Sequence, residues 1–517
     1  MIAVIQFDAA SARLLERLGS EGRLPNLEAL RAQGTRLDLE TPAEHFPASA
    51  YQDLYRGVEV GDHGLYYPFQ WAAGDQRVRL AASFDAPPPI WDRLGRAGRN
   101  TLAIDPYECH SPQEAQGDLV CGWGMRERVV LERWSVPDGG DREPRRRHGR
   151  PPDVTEVFGA QTPRELRRLR ERFLQAPRRV ADLATERLRA RPFDLAWIVF
   201  AAPHLAGHRL WEVPPYIGEA AIPASERERL DGALAEVYEE VDAQLGRVLE
   251  ALPDECDVIV CSVLGMDENT SRADLLPGML SAVLAGEQPS RGSFQTHTVQ
   301  KEPRNGSDSD SGAIWRLRAA LSGRLRSQIA AAMPDRVALE LTARLELRGV
   351  DWSTTRAFAH PADNQGYISL NRTGRERDGI VENTEAPELI AQIREGLLDF
   401  RDPDGEPAVV AVDEVADRWQ GAPAARLPDL VVRWRPTSSV VLPALHSPRF
   451  GTVLRQGYGS GRTGNHTDGD AWAILAPRTA RTRNPTRPAR VTDIPATVAA
   501  HCDVPLEGLS GEPLLDR

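Results

Sequence analysis

The chain has 517 residues, of which 41% are hydrophobic and 27% are charged, and these fractions are ordinary for a globular protein. Its formal net charge of −12 argues against nucleic-acid binding, which requires a basic surface. The first residues lack a signal-peptide pattern and no apolar run is as long as a membrane span. We therefore expect a cytoplasmic protein that does not bind membranes.

Short apolar runs that are typical of buried strands recur along the chain, and each ends at a polar or glycine-rich turn. In chain order they read "IAVIQFD", "TLAIDP", "LAWIVFAAP", "DVIVCSVLG", "DLVVRW" and "AWAILAP". Amphipathic helical patterns lie between them. The clearest is "SERERLDGALAEVYEEVDAQLGRVLEALP", where leucine or valine recurs every three or four residues. This alternation predicts an α/β fold with a doubly wound, mainly parallel sheet and helices on both faces.

Two stretches interrupt this alternation, near residues 135–162 and 284–312, and both are rich in residues that favour loops. Helical patterns follow the second stretch. We therefore expect the first part of the core over residues 1–275, a cap-like insertion over 276–350, and the second part of the core over 351–517.

Two histidines follow the third apolar run directly: His204 and His208 lie four residues apart, one helical turn, in "HLAGH". Asp8 and Gly265 follow two other predicted strands. In doubly wound sheets, ligands bind outside the carboxyl ends of the strands, which is where these residues belong. The pattern favours a metal site, and the alternative is that the histidines are ordinary polar residues on a turn.

Six segments, in order, resemble the alkaline phosphatase superfamily, and above all its type I phosphodiesterase/nucleotide pyrophosphatase branch. They read "VIQFDAASARLLERLGSEGRLPNLEALRAQG", "YQDLYRGVEVGDHGLY", "GYISLNRTGRERDGIV", "LPDLVV", "GNHTDGDAWAIL" and "VTDIPATVAAHCDVPLEGLSGEPLL". Together the matching segments extend over most of the chain. The resemblance implies an alkaline phosphatase-like fold and two metal ions that clamp a phosphoryl or sulfuryl group.

By this resemblance, the first metal takes the Asp and His of a D-x-x-x-H motif and a late His in G-x-H. The D-x-x-x-H motif corresponds to "HLAGH", so His204 replaces the Asp and His208 is retained, while "GNH" supplies His466. Three neutral imidazoles form a known catalytic zinc shell with an open fourth position. We therefore predict one zinc ion on these three histidines.

The second metal of the family takes an S-D-H-G motif and the opening Asp, which is Asp8 here. The motif corresponds to "SVLG", where Val263 and Leu264 cannot bind a metal, and Asp267 is the only nearby substitute. We expect this second site to be lost. Asp8 is a candidate metal ligand, and its alternative roles are a helix N-cap and the partner that orients an imidazole.

The family nucleophile falls on Pro47, which cannot attack a substrate. Ser49 is the nearest hydroxyl and is the candidate nucleophile, with His45 as a possible base; the alternative is that Ser49 caps a helix. The resemblance makes Asp62 and His63 structural.

These expectations describe a divergent metal-dependent hydrolase that acts on a small phosphoester-like molecule, with attack by Ser49 or by water. Two alternatives remain: a one-metal enzyme of non-phosphoryl chemistry in small-molecule biosynthesis, and a catalytically inactive pseudo-phosphatase that serves as a binding module. The expected partner is a small-molecule substrate, and the sequence leaves the oligomeric state open.

Overall fold

The computed structural model describes residues 1–154, 161–213, 216–217, 220–286, 335–362, 364–455, 460–483 and 486–516. Most of the predicted loop over 284–312 and the greater part of the predicted insertion lie outside these residues, while residues 284 and 285 end the helix Leu276–Ala285. Among the described helices, none combines the length and the apolar character that a membrane crossing requires.

An eight-stranded sheet forms the centre of the molecule, in the order β2-β20-β11-β1-β8-β5-β6-β7. Its five middle strands, β11 to β6, run parallel, while β20 and β7 are antiparallel to their neighbours. The strands are β1 (Ile2–Phe7), β2 (Thr35–Leu39), β5 (Asn100–Ile104), β6 (Gln116–Cys121), β7 (Trp134–Val136), β8 (Leu195–Phe200), β11 (Asp257–Ser262) and β20 (Ala471–Ala476).

Helices pack on both faces of this sheet, as predicted, whereas Leu276–Ala285 and Ala386–Leu398 pack in the core of the second sheet described below. Every residue of β1, β8 and β11 is therefore buried, and this explains why these strands read as continuous apolar runs rather than as alternating ones. The helices are Ala12–Ser20, Pro25–Gln33, Ser49–Arg56, Val60–His63, Ile90–Arg96, Arg142–His148, Pro163–Ala190, Ala202–Leu210, Ala224–Glu228, Ala233–Ala251, Leu276–Ala285, Asp335–Leu345, Ala386–Leu398 and Asp493–His501.

The long amphipathic pattern after residue 224 forms two helices rather than one. The chain leaves the first helix after Glu228, and Gly232 precedes the second helix with a φ of 75°. This left-handed conformation is accessible to glycine without a steric penalty, so Gly232 separates the two helices. The hydrophobic spacing continues across the break because Leu230 and Leu234 still face the core.

A second, antiparallel sheet of four strands lies in the order β13-β14-β16-β15 and has its own hydrophobic core. Its strands are β13 (Ala357–His360), β14 (Gly366–Leu370), β15 (Val409–Glu414) and β16 (Leu430–Trp434). The helix Leu276–Ala285, from the predicted insertion, packs in this core. The domain boundaries at 276 and 350 stay a prediction.

The remaining strands form two-stranded ribbons, and one of them positions the candidate site. In this ribbon, β12 pairs with β19 so that Met266 lies opposite His466. The ribbon strands are β3 (Phe69–Ala72), β4 (Arg77–Leu80), β9 (Tyr216–Ile217), β10 (Ala220–Ala221), β12 (Met266–Glu268), β17 (Ala444–Ser447), β18 (Gly451–Leu454), β19 (Gly464–His466), β21 (Arg481–Thr482) and β22 (Leu515–Asp516).

Candidate metal centre

Three histidine side chains meet outside the carboxyl ends of the central strands. His204 and His208 lie on the helix Ala202–Leu210, which begins directly after β8, and His466 ends β19. The Nε2 atom of His204 lies 3.0 Å from Nε2 of His208 and 2.8 Å from Nε2 of His466. Within the described residues, this is the only group of three or more His, Cys, Asp or Glu side chains placed to hold a metal ion.

The outer ring nitrogens of two of these histidines face hydrogen-bond acceptors. Nδ1 of His204 lies 3.0 Å from a carboxylate oxygen of Asp8, and Nδ1 of His208 lies 3.0 Å from the carbonyl oxygen of Gly464. A carbonyl and a carboxylate accept hydrogen bonds, so each Nδ1 carries the proton and donates it. When the single ring proton is on Nδ1, the Nε2 atoms of His204 and His208 both present a lone pair.

Two acceptor atoms that face each other at 3.0 Å repel unless a positive charge lies between them. The donor set therefore fits a metal ion. Zinc–nitrogen bonds of roughly 2.0–2.1 Å at tetrahedral angles would set two nitrogens about 3.3 Å apart, close to the observed separations of 3.0 and 2.8 Å. Nitrogen-only ligation suits zinc better than magnesium or calcium, which prefer oxygen ligands.

Asp8 supports the three histidines from outside, because its carboxylate faces Nδ1 of His204 and not an Nε2 atom. The residue follows β1 and is fully buried, and its backbone N–H donates to Phe200 at the end of β8. One carboxylate oxygen contacts His204, and the other accepts from Gln6 at 3.3 Å. This placement matches the alternative in which Asp8 orients an imidazole, and it is not a helix N-cap, since Ser11 caps the helix Ala12–Ser20.

Two tyrosines flank His204, and the sequence analysis did not identify them. The Tyr51 ring stacks parallel to the imidazole, and its hydroxyl lies 3.1 Å from Nδ1, while the Tyr107 ring centroid is 4.5 Å away. Burial, together with the adjacent Asp8 carboxylate, holds the pKa of Tyr51 well above its usual range, so the hydroxyl stays protonated. Tyr51 lies on the helix Ser49–Arg56, and no residue pattern distinguishes it there from a core tyrosine.

The segment that corresponds to S-D-H-G is apolar where the family places ligands. Val263 and Leu264 are fully buried, and the Ser262 hydroxyl accepts from Ala10 N–H and donates to the Leu264 carbonyl. Asp267, the suggested substitute, forms an ion pair with Arg13 at 2.5 Å on a partly exposed surface. Its carboxylate is therefore engaged outside the histidine cluster.

Ser49 and His45 make hydrogen bonds that do not connect them to each other. The Ser49 hydroxyl is buried and donates to the Leu65 carbonyl at 2.6 Å. The His45 ring pairs with Asp413 at 3.0 Å, and burial, followed by the charge of Arg418, lowers its pKa. Ser49 is the first residue of its helix rather than the cap, which is Ala48.

His63, of the pair Asp62 and His63, makes two hydrogen bonds in a buried position. His63 is buried, and its Nε2 lies 2.7 Å from a carboxylate oxygen of Asp53, while its Nδ1 accepts from the backbone N–H of Leu65. The hydrogen bond between His63 and Asp53 ties the helix Val60–His63 to the helix Ser49–Arg56.

Among solved structures, phosphonoacetate hydrolase from Sinorhizobium meliloti 1021, in complex with phosphonoformate, is similar to this chain with a TM-score of 0.50. It is 13% identical, and the match covers 97% of this chain and 95% of the other. An inactive variant of murine ectonucleotide pyrophosphatase/phosphodiesterase 5, in complex with AMP, is 11% identical with a TM-score of 0.49 and coverages of 100% and 99%. At these identities the first likeness shows the fold alone.

Among curated proteins, none matches the chain. The sequence profile of the type I phosphodiesterase/nucleotide pyrophosphatase family matches residues 2–307, more than half of the chain. The resemblance inferred from the sequence is thereby confirmed, together with the α/β fold and its mainly parallel central sheet. This chain belongs to the type I phosphodiesterase/nucleotide pyrophosphatase family, a family of hydrolases.

Proposed function

We propose that the protein is a single-zinc hydrolase of a small phosphoester, with His204, His208 and His466 as the metal ligands. Membership of a phosphodiesterase family supports the reaction class. The apolar side chains of Val263 and Leu264, at the positions of the second metal's ligands, support a site with one metal instead of two.

The observation that carries this proposal is the pair of facing Nε2 atoms in His204 and His208, whose outer nitrogens are both committed as donors. A purely structural pair of histidines would place a donor opposite an acceptor. Here a cation between the rings removes the repulsion, and the third imidazole, from His466, approaches the same point.

The chain's own residues fix the ligand geometry. Asp8 holds the proton on Nδ1 of His204, and the Gly464 carbonyl holds the proton on Nδ1 of His208, so both Nε2 lone pairs are presented inward. The Tyr51 ring limits rotation of the His204 ring from one side. Zinc at this position would supply Lewis-acid polarisation of the ester and would activate a water molecule.

Attack by water suits this arrangement better than attack by Ser49. The Ser49 hydroxyl proton is already donated to the Leu65 carbonyl, and within the described residues this hydroxyl makes no hydrogen bond to the three histidines. In the proposed reaction, the oxygen of water attacks phosphorus and the phosphorus–oxygen bond to the ester's alcohol group breaks. The proton that the water loses balances the proton that the released alkoxide takes up.

A second function, a binding protein that has kept the metal but lost catalysis, is favoured by the burial of the ligands. His204, His208 and His466 are 2%, 1% and 5% exposed, so a substrate would need to approach a nearly closed centre. The two functions share the metal and differ in turnover.

The experiment measures zinc content and hydrolysis together on the full chain. Protein produced with ample zinc is analysed for metal by elemental analysis and assayed with bis(p-nitrophenyl) phosphate and p-nitrophenyl phosphate. One zinc per chain with turnover supports the hydrolase. One zinc without turnover supports the binding protein, and protein without zinc rules out both.

A further inference from the structure

Two buried side-chain amides reach the segment that follows β19, next to the candidate metal centre. Asn364 and Gln365 precede β14 of the second sheet and are only 3% and 2% exposed. The Asn364 amide nitrogen donates to the backbone carbonyl of His466 at 2.8 Å. The Gln365 amide nitrogen donates to a carboxylate oxygen of Asp468 at 2.9 Å, two residues further along.

The orientation of both amides is fixed, because each nitrogen faces acceptors. Besides Asp468, the Gln365 nitrogen donates to the backbone carbonyls of Ala43 and Glu44. Turning over either amide would set its oxygen against another oxygen. These hydrogen bonds therefore fix the positions of the two amide oxygens, Oδ1 of Asn364 and Oε1 of Gln365.

These two oxygens make no hydrogen bond within the described part of the chain. A buried acceptor without a donor is unfavourable, and two such acceptors on consecutive residues are unusual in a native protein. Both belong to side chains that reach the same short segment from His466 to Asp468. This arrangement is ready to accept donors from a bound molecule.

A third acceptor at this position carries a negative charge. Asp468 is exposed to solvent, and within the described residues its carboxylate forms no ion pair; its one hydrogen bond comes from Gln365. The neighbouring acid Glu44, in contrast, is neutralised by Arg418 and Arg433. The Asp468 carboxylate thus gives the acceptor group a net negative charge and a route from solvent.

We infer that Asn364, Gln365 and Asp468 form a subsite for a primary ammonium group of the substrate. An ammonium has three donors and no acceptor, which matches two amide oxygens and one carboxylate. Because Asn364 is bonded to the backbone of His466, the subsite adjoins the centre where the phosphoester would react. The substrate class is therefore an aminoalkyl phosphoester, and this part of the inference rests on the proposed function.

The test compares three probes that differ in one group: 2-aminoethyl phosphate, 2-hydroxyethyl phosphate and ethyl phosphate. Each is titrated by calorimetry into the full chain, with and without added zinc. We expect 2-aminoethyl phosphate to bind at least about 10-fold more tightly than ethyl phosphate, with 2-hydroxyethyl phosphate between them.

Asp468→Asn and Gln365→Met should each reduce the preference for the amine to under about 3-fold. Asp470→Asn is the matched control, because Asp470 is an exposed acid in the same segment and, within the described residues, makes no hydrogen bond to Gln365. The control should keep the full preference. If Gln365→Met does not fold, Asp468→Asn decides alone, since its side chain is exposed.

Equal affinities of the wild type for the amine and ethyl probes would overturn the inference, as would no binding of any probe. The same holds if the hydroxyl probe binds as tightly as the amine, or if Asp468→Asn keeps the preference. Hydrolysis of bis(p-nitrophenyl) phosphate, measured on the same samples, tests the proposed function separately. A binding preference for the amine probe without hydrolysis would support the ammonium subsite and contradict the proposed hydrolase. Hydrolysis without a preference for the amine probe would support the hydrolase and contradict the subsite.

Discussion

The two ends of the central sheet each carry a buried cluster with histidine and aspartate, and the clusters differ in how their hydrogen bonds are matched. At the amino end of β11, the Asp257 carboxylate accepts from the backbone and hydroxyl of Thr479, from the backbone of Arg478 and from Nε2 of His501. At the carboxyl end, the histidine cluster sets two acceptor nitrogens against each other.

Counting donors and acceptors distinguishes the two clusters: the Asp257 cluster is matched internally, and the histidine cluster is the candidate ligand site. The carboxylate of Asp257 is an acceptor, and each partner named for it is a donor, so the cluster is complete without a ligand. In the histidine cluster, a cation between Nε2 of His204 and Nε2 of His208 would match both lone pairs. Both are buried, so burial of polar residues alone would not tell them apart.

The largest expected effect is the loss of metal when one ligand is removed. His208→Ala should lower zinc affinity by more than about 100-fold, because loss of a residue that only supports a ligand already costs 10–100-fold. His501→Ala, which removes a buried histidine from the other cluster, is the matched control and should keep one zinc per chain. Elemental analysis after dialysis measures both. Full zinc retention in His208→Ala would contradict the ligand assignment.

The next effect is on stability and concerns the amino end. Asp257→Asn should lower the free energy of unfolding by about 3 kcal/mol, since it weakens several hydrogen bonds to a charged acceptor, and should leave zinc content unchanged. Urea unfolding measures the stability. A variant that unfolds like the wild type would show that this cluster does not stabilise the fold.

The same carboxyl gives a pH dependence with a defined sign. Burial opposes its ionisation, but the hydrogen bonds from Thr479, His501 and Arg478 outweigh burial and hold the pKa of Asp257 well below its ordinary value of 3.8. Its contribution to stability is therefore complete above pH 3.8 and is lost as the pH falls through the lower folded-state pKa. Unfolding measured between pH 5 and 2 should show less acid sensitivity in Asp257→Asn than in the wild type.

A smaller effect is expected for the residue that orients a ligand. Asp8→Asn keeps the three imidazoles but weakens the acceptor for Nδ1 of His204, so zinc affinity should fall about 10–100-fold. Competition with a chelating dye measures this change. An affinity equal to that of His208→Ala would instead make Asp8 a direct ligand.

The smallest effects are expected at the two residues that lie outside the histidine cluster. Arg13→Ala removes an exposed ion pair with Asp267 and should change stability by less than about 1 kcal/mol, without a change in zinc content.

Ser49→Ala should retain hydrolysis of bis(p-nitrophenyl) phosphate if water is the nucleophile. A loss of turnover in Ser49→Ala, with zinc intact, would restore Ser49 as the nucleophile.

The sequence by itself determined the fold class, and it identified the three histidines as candidate metal ligands. Continuous apolar strands that alternate with amphipathic helices require a sheet covered on both faces, and the spacing in "HLAGH" places two rings on one side of a helix. The loss of the S-D-H-G side chains could also be read from Val263 and Leu264, because a hydrocarbon side chain has no lone pair to give a metal.

Only the tertiary structure decided which nitrogens face inward and which residues surround them. The partners that set the tautomers of His204 and His208 lie 196 and 256 residues away in the chain, and one of them is a backbone carbonyl. Tyr51, Asn364 and Gln365 carry no local pattern that distinguishes them from other buried residues. A hydrogen bond depends on distance and direction in space, and neither quantity is encoded by residue type or by spacing along the chain.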